Sequence, residues 1–174
     1  MKKLLCLVLC LFLCSCCLAE EAPEAAPEDT TPGYLVEDEA SGIGYRLSER
    51  WQGVEVSEEN AAEGVCAMYT AEDGSLLIIS LSEALDEDGE PVTDPGTLAA
   101  LYQSAGLETA LRENGVVTVA LPEQEAVMGV ILNGRGLAMA FAVRTAGETE
   151  AEEAAETLFG SLTVLPEEEA EPAQ

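Results

Sequence analysis

The chain has 174 residues, 48% hydrophobic and 24% charged, a size that suits one domain with appendages; 34 acids against 7 basic residues give a formal net charge of −27. Lys2 and Lys3 are its only lysines and no histidine occurs. Every acid lies beyond residue 19, so removing the N-terminal segment leaves five arginines against the same 34 acids, a net charge of −29. Such a field repels phosphate backbones and anionic head groups, which excludes nucleic acid by the basic-footprint criterion and leaves cationic partners or divalent cations.

Residues 1–19 read MKKLLCLVLCLFLCSCCLA, a short basic region, an apolar run from Leu4 to Leu13, then small and sulfur-bearing residues. This is an export signal, because the apolar run is about half of the roughly 20 residues that span hydrocarbon. Leu13-Cys14-Ser15-Cys16 resembles the bacterial lipoprotein signal, in which the cysteine after a small residue is lipidated and becomes the mature N-terminus. By that resemblance residues 1–15 are removed, Cys16 carries the lipid, and the acyl chains, at about 0.8 kcal/mol per CH₂, anchor the protein to the outer face of the cell membrane. The alternative is cleavage after Ala19, which releases a secreted protein.

Residues 16–32 are then a linker, acidic and rich in proline and alanine from Glu20 onward. Self-repelling charge and proline keep such a segment extended, with a reach on the order of 40 Å at about 3.3 Å per residue. Residues 166–174, PEEEAEPAQ, have the same composition and read as a disordered acidic tail. A single domain of residues 33–165 remains, long enough to bury one core.

Its first expected strand is Ile43 to Leu47, followed by Trp51, the only tryptophan, and a short strand at Val54 to Val56. Val65 to Thr70 and Ser75 to Leu81 flank an Asp73-Gly74 turn and form a hairpin. Ser82 to Gly96 is polar and rich in acids and turn residues, a connection long enough to be functional or mobile. Asp94-Pro95 supplies an N-cap and a first-turn proline, and Leu98, Leu101, Tyr102 and Ala105 follow at helical spacing. Gly106 interrupts before Leu107, Ala110 and Leu111 resume helical spacing out of phase, and Val116 to Leu121 is a further strand.

Glu125 to Arg144 is the expected centre. Two apolar runs are joined by Asn133-Gly134, which predicts a hairpin with a two-residue type I′ turn. In the second run Leu137, Met139, Phe141 and Val143 alternate with Ala138, Ala140 and Ala142, so one face is bulky and the other a flat alanine strip. Neither face tolerates water, which calls for a packing layer on each side. Thr149 and Glu152 form a capping box for a helix whose stripe is Ala151, Ala154, Ala155, Leu158 and Phe159, with Gly160 placed to end it. The small half of that stripe is expected against the alanine strip.

The order of these pieces resembles the PsbP-like and Ran-binding Mog proteins and small bacterial lipoproteins of that group. The resemblance rests on a Gly44-Tyr45 strand entry ending at Trp51, two antiparallel hairpins around a helix, and a last helix running through Leu158-Phe159-Gly160-Ser161-Leu162. Such proteins often have proline where this chain has Ser48. The resemblance implies an α+β fold, an antiparallel β-sheet with helices packed on both faces as an α/β/α sandwich, and an accessory or binding role.

Without histidine, Ser-His-Asp and Cys-His arrangements, HExxH zinc sites and imidazole bases are absent, and without lysine after Lys3 so are P-loops and Schiff bases. No catalytic residue and no cofactor is expected. Cys66, the one cysteine beyond the signal region, reads as a small core residue, Tyr45 and Trp51 as core or rim aromatics, and Arg135 as a solvent-facing strand residue. Asp86, Asp88 and Glu90 are the candidate metal ligands. They start like an EF-hand, but Pro91 stands where that loop needs its glycine and Thr97 where it needs its bidentate glutamate, leaving weak Ca²⁺ binding at most. The expected function is a non-enzymatic exported lipoprotein, tethered to the membrane and binding an envelope protein, with a Ca²⁺ or small-ligand sensor as the alternative and a carboxylate hydrolase as the third reading.

Overall fold

The computed structural model describes residues 33–145 and 149–166, without side chains for residues 149–152. The signal, the linker, the Cys16 lipidation position, the acidic tail beyond Pro166 and the capping box at Thr149 and Glu152 therefore lie outside what is described. Among the described residues no helix is long and apolar enough to cross a membrane.

The described residues form two antiparallel sheets. The smaller has β2 (Ile43–Leu47) between β1 (Tyr34–Asp38) and β10 (Thr163–Val164). The larger has seven strands in the order β3-β4-β5-β9-β8-β7-β6, with β3 at Gln52–Val54, β4 at Val65–Thr70, β5 at Leu76–Glu83, β6 at Thr109–Leu111, β7 at Val117–Leu121, β8 at Ala126–Leu132 and β9 at Leu137–Arg144. Among the described residues three α-helices accompany them, α1 (Glu58–Ala62), α2 (Pro95–Ser104) and α3 (Thr149–Ser161), with a short 3-10 turn at Pro122–Gln124. Ser57 caps α1, its hydroxyl accepting from the Asn60 N–H, and Asp94 caps α2 by accepting from the Thr97 N–H at 2.7 Å.

The β8/β9 hairpin lies at the centre of the large sheet, flanked by β5 and β7. Its register sets a large residue opposite a small one at four pairs. Phe141 stands opposite Gly129, while Met128, Val130 and Leu132 stand opposite Ala142, Ala140 and Ala138. On the bulky face Leu77, Ile79, Ile131, Met139, Phe141 and Val143 share one core with Ile43, Tyr45 and Leu47 of the small sheet and Ala155, Leu158 and Phe159 of α3. Tyr45 meets Phe141 edge-on at 5.0 Å between centroids, a contact worth about 1 kcal/mol beyond its buried area. On the alanine face Ala138, Ala140 and Ala142 share a second core with Val117, Val119, Leu121 and, from α2, Leu98, Ala99 and Tyr102.

That assignment corrects the expected packing: α3 lies on the bulky face and α2 on the alanine face. The reason is Gly129. A Cβ there would come within 2.6 Å of the Phe159 ring, so the missing side chain opens a dent in the bulky face that accepts the aromatic. The alanine strip instead receives α2, whose Tyr102 is large enough to fill the space above it.

Other expectations shift as well. β1, α1 and β10 were not foreseen; Tyr34–Asp38 has half-exposed apolar residues, and β10 is only two residues long. β3 precedes the expected Val54 to Val56 position. Leu107, Ala110 and Leu111 do not resume a helix: β6 pairs with β7 from Thr109 to Leu111, because sheet partners outweigh local spacing. Gly160 does not end α3, which runs to Ser161. Asn114 donates from Nδ2 to the Phe159 and Leu162 carbonyls at 2.9 and 3.2 Å, satisfying the end of the helix without a left-handed glycine.

Candidate interaction surface

Three loops meet at one end of the sheets. The β8/β9 connection is not a two-residue type I′ turn. Positive φ falls on Gly134 and Gly136 rather than on Asn133, and the Asn133 N–H donates to the Leu137 carbonyl across the intervening Gly134-Arg135-Gly136. Asn133 is 5% exposed and serves as the organising side chain. Its Oδ1 accepts from the Arg135 and Leu137 N–H groups at 2.8 and 3.2 Å, and its Nδ2 donates to the Ser41 carbonyl at 2.9 Å. The β1/β2 turn is thereby tied to the hairpin tip. The Arg135 guanidinium lies close against Gly42, and the buried Ser41 hydroxyl contacts the Met139 sulfur at 3.8 Å.

The third loop, residues 84–92, is ordered against the same tip. Ala84 N–H donates to the Gly136 carbonyl at 2.8 Å, and Pro91 packs against Gly136 closely enough that a Cβ there would be 3.0 Å away. Leu85 and Pro91 form a bridge, and Asp86 Oδ1 accepts from the Asp88 and Glu90 N–H groups, both at 2.9 Å. The long polar connection is therefore a folded turn whose first carboxylate holds its own backbone. Asp88 and Glu90 point to solvent, and among the described residues no group of three or more Cys, Asp or Glu side chains is placed to hold a metal ion.

The exposed rim of this end is acidic, with Glu37 and Glu39 beside the β1/β2 turn and Glu83, Glu87, Asp88 and Glu90 on and before the third loop. Arg135 is exposed among them, but in the loop rather than in a strand.

Cys66 is a further correction, being exposed rather than in the core. The β4/β5 register slips between Val65 and Ala67, so Cys66 is the extra residue of a bulge and turns outward. Burial of its surroundings pushes the thiol pKa up and the Asp38 carboxylate adds to this, which disfavours the reactive thiolate.

Trp51 and Tyr45 are buried core aromatics, with the Arg50 guanidinium 5.7 Å from the Trp51 ring. Arg50 pairs with Asp73 at 2.5 Å and Arg112 with Glu156 at 2.5 Å. Burial alone would raise the Asp73 pKa, but Ser75 and Arg50 outweigh it and hold it low; Asp94 is held low by the Thr97 N–H first and its hydroxyl second. Low values suit an ion pair and a helix cap, opposite to the direction a carboxylate general acid requires.

No protein-family model and no curated protein matches the chain. Among solved structures, the solution structure of cyanobacterial PsbP (CyanoP) from Synechocystis sp. PCC 6803 aligns with a TM-score of 0.51 at 18% identity, covering 82% of this chain and 98% of that one. A crystal structure from Bacteroides thetaiotaomicron VPI-5482 aligns at 14% identity and TM-score 0.49, covering 83% of this chain and 53% of the other. The fold is thus PsbP-like, an α+β domain built mainly on antiparallel sheet.

Proposed function

We infer that this protein is a non-enzymatic, exported accessory module, lipid-anchored through Cys16 and presenting its domain to a protein partner in the cell envelope. One observation carries the reading: three loops from separate parts of the chain are tied together at the β8/β9 tip, two of them through the buried Asn133 and the third through Gly136, and acids line the exposed rim around Arg135. Loops held rigidly on a scaffold are where binding residues concentrate, and an acidic rim selects basic surfaces. The central sheet reads as the middle layer of an α/β/α sandwich, supported by α2 and α3 residues in the two opposite cores.

In-cell crosslinking with mass spectrometry tests the role. A reproducible envelope partner crosslinked through this end is expected, and repeated recovery of none would refute the reading. Acyl-lipid labelling tests the anchor; it should vanish in Cys16→Ala, and a soluble product cleaved after Ala19 would replace the anchored reading with the secreted one.

A further inference from the structure

The small sheet has one long open edge. In antiparallel pairing, alternate residues of a strand direct their backbone groups to opposite neighbours. On β2 the Arg46 N–H donates to Ser161 Oγ and the Gly42 carbonyl accepts from Leu165 N–H, so even-numbered residues face the β10 side. Odd-numbered Ile43, Tyr45 and Leu47 therefore face β1, where they are registered with Asp38, Val36 and Tyr34. Leu35 and Glu37 are left directing their N–H and C=O groups outward, and no described strand pairs with that edge.

Three features set β1 apart. The other outer strands, β3, β6 and β10, have three, three and two residues, whereas β1 has five. Proteins blunt such edges with lysine or other charges, proline or a bulge; β1 has no lysine, proline or bulge, and its charges are acids only, at Glu37 and Asp38. Tyr34 and Leu35 are each 50% exposed beside the edge. Charge then selects what can dock. Glu37 and Glu39 are exposed at the end of β1 next to the loop rim, and a second copy of this chain, or its own acidic segments, would bring like charges together.

We propose that the outer edge of β1 docks an extended strand of a partner protein bearing lysine or arginine, taken up by β-strand addition along Leu35 to Glu37. Backbone pairing supplies affinity and the acids supply selection. This deepens the accessory-module reading and rests on it.

The test uses the full chain, ¹⁵N-labelled and held in a non-ionic detergent, with an N-acetylated eight-residue peptide alternating lysine and valine as probe and its glutamate counterpart as control. Exchange of the Leu35 and Glu37 amides should slow by about tenfold or more on adding the lysine peptide, since each gains a strand partner. Leu35→Pro removes an outward N–H at an edge position where proline is tolerated, so it should weaken binding by about tenfold with little change in Tm. Should that variant fail to fold, Glu37→Lys at its exposed position serves instead, lowering affinity for the lysine peptide and raising it for the glutamate peptide. Equal binding of both peptides, unchanged binding in both variants, or a dimer that protects the edge without peptide would overturn the proposal. If crosslinking recovers the same partner from Leu35→Pro cells, the accessory reading stands and the edge assignment alone falls.

Discussion

Asn133 makes three hydrogen bonds from a nearly buried position, and no other residue type of its size offers both an acceptor and a donor there. Asn133→Ala would strand the Ser41 carbonyl and two N–H groups, so a loss of about 2–3 kcal/mol in urea unfolding is expected. The same substitution should speed amide exchange at Arg135 and Leu137. Asp73 gives a pH prediction. Its folded pKa lies below its ordinary value of 3.8, so its contacts stabilise the fold above that value, and the contribution is lost as pH falls through the folded pKa. Asp73→Asn should cost about 1 kcal/mol at pH 6, and wild type and variant should converge as pH falls through the lowered folded pKa when unfolding is followed by circular dichroism. Asn133 was visible in the sequence only as half of a turn signal, because its partner Ser41 is 92 residues away.

At the scale of elements, the decisive contact is Phe159 of α3 seated on Gly129 of β8. Gly129→Ala would force the buried ring aside and should cost about 1–3 kcal/mol by chemical denaturation. Combining it with Phe159→Leu should cost less than the sum of the two single changes, since the smaller side chain leaves room for the new methyl. Strictly additive losses would place the helix elsewhere. Periodicity in Glu125 to Arg144 was sufficient to locate the two central strands and the two faces that need cover. Which helix covers which face was not legible, because both helices offer small and large apolar residues and the choice depends on a glycine dent that forms only when β8 and β9 are in register. The C-terminus of α3 was misplaced for a related reason: its cap comes from Asn114, on a different part of the chain.

For the whole molecule, charge dominates. With 34 acids against few cations, self-repulsion opposes the compact state, so raising NaCl from about 0.02 to about 0.5 M should raise Tm by screening. Calcium and magnesium at matched ionic strength should do so equally, because Asp86 already uses Oδ1 on its own loop; a shift specific to calcium would revive Asp86, Asp88 and Glu90 as ligands.

Composition, charge, apolar periodicity and turn residues are local properties, and by themselves they determined the acidic character, the absence of histidine chemistry, the main hairpins and the capped start of α2. Tertiary structure alone decided the second sheet, the facing of the helices, the outward turn of Cys66 and the joining of three loops at the β8/β9 tip. Each of these depends on register and on contacts between residues far apart in sequence. A shift of one position in a strand moves every side chain to the other face, and no local pattern records which partner strand sets that register.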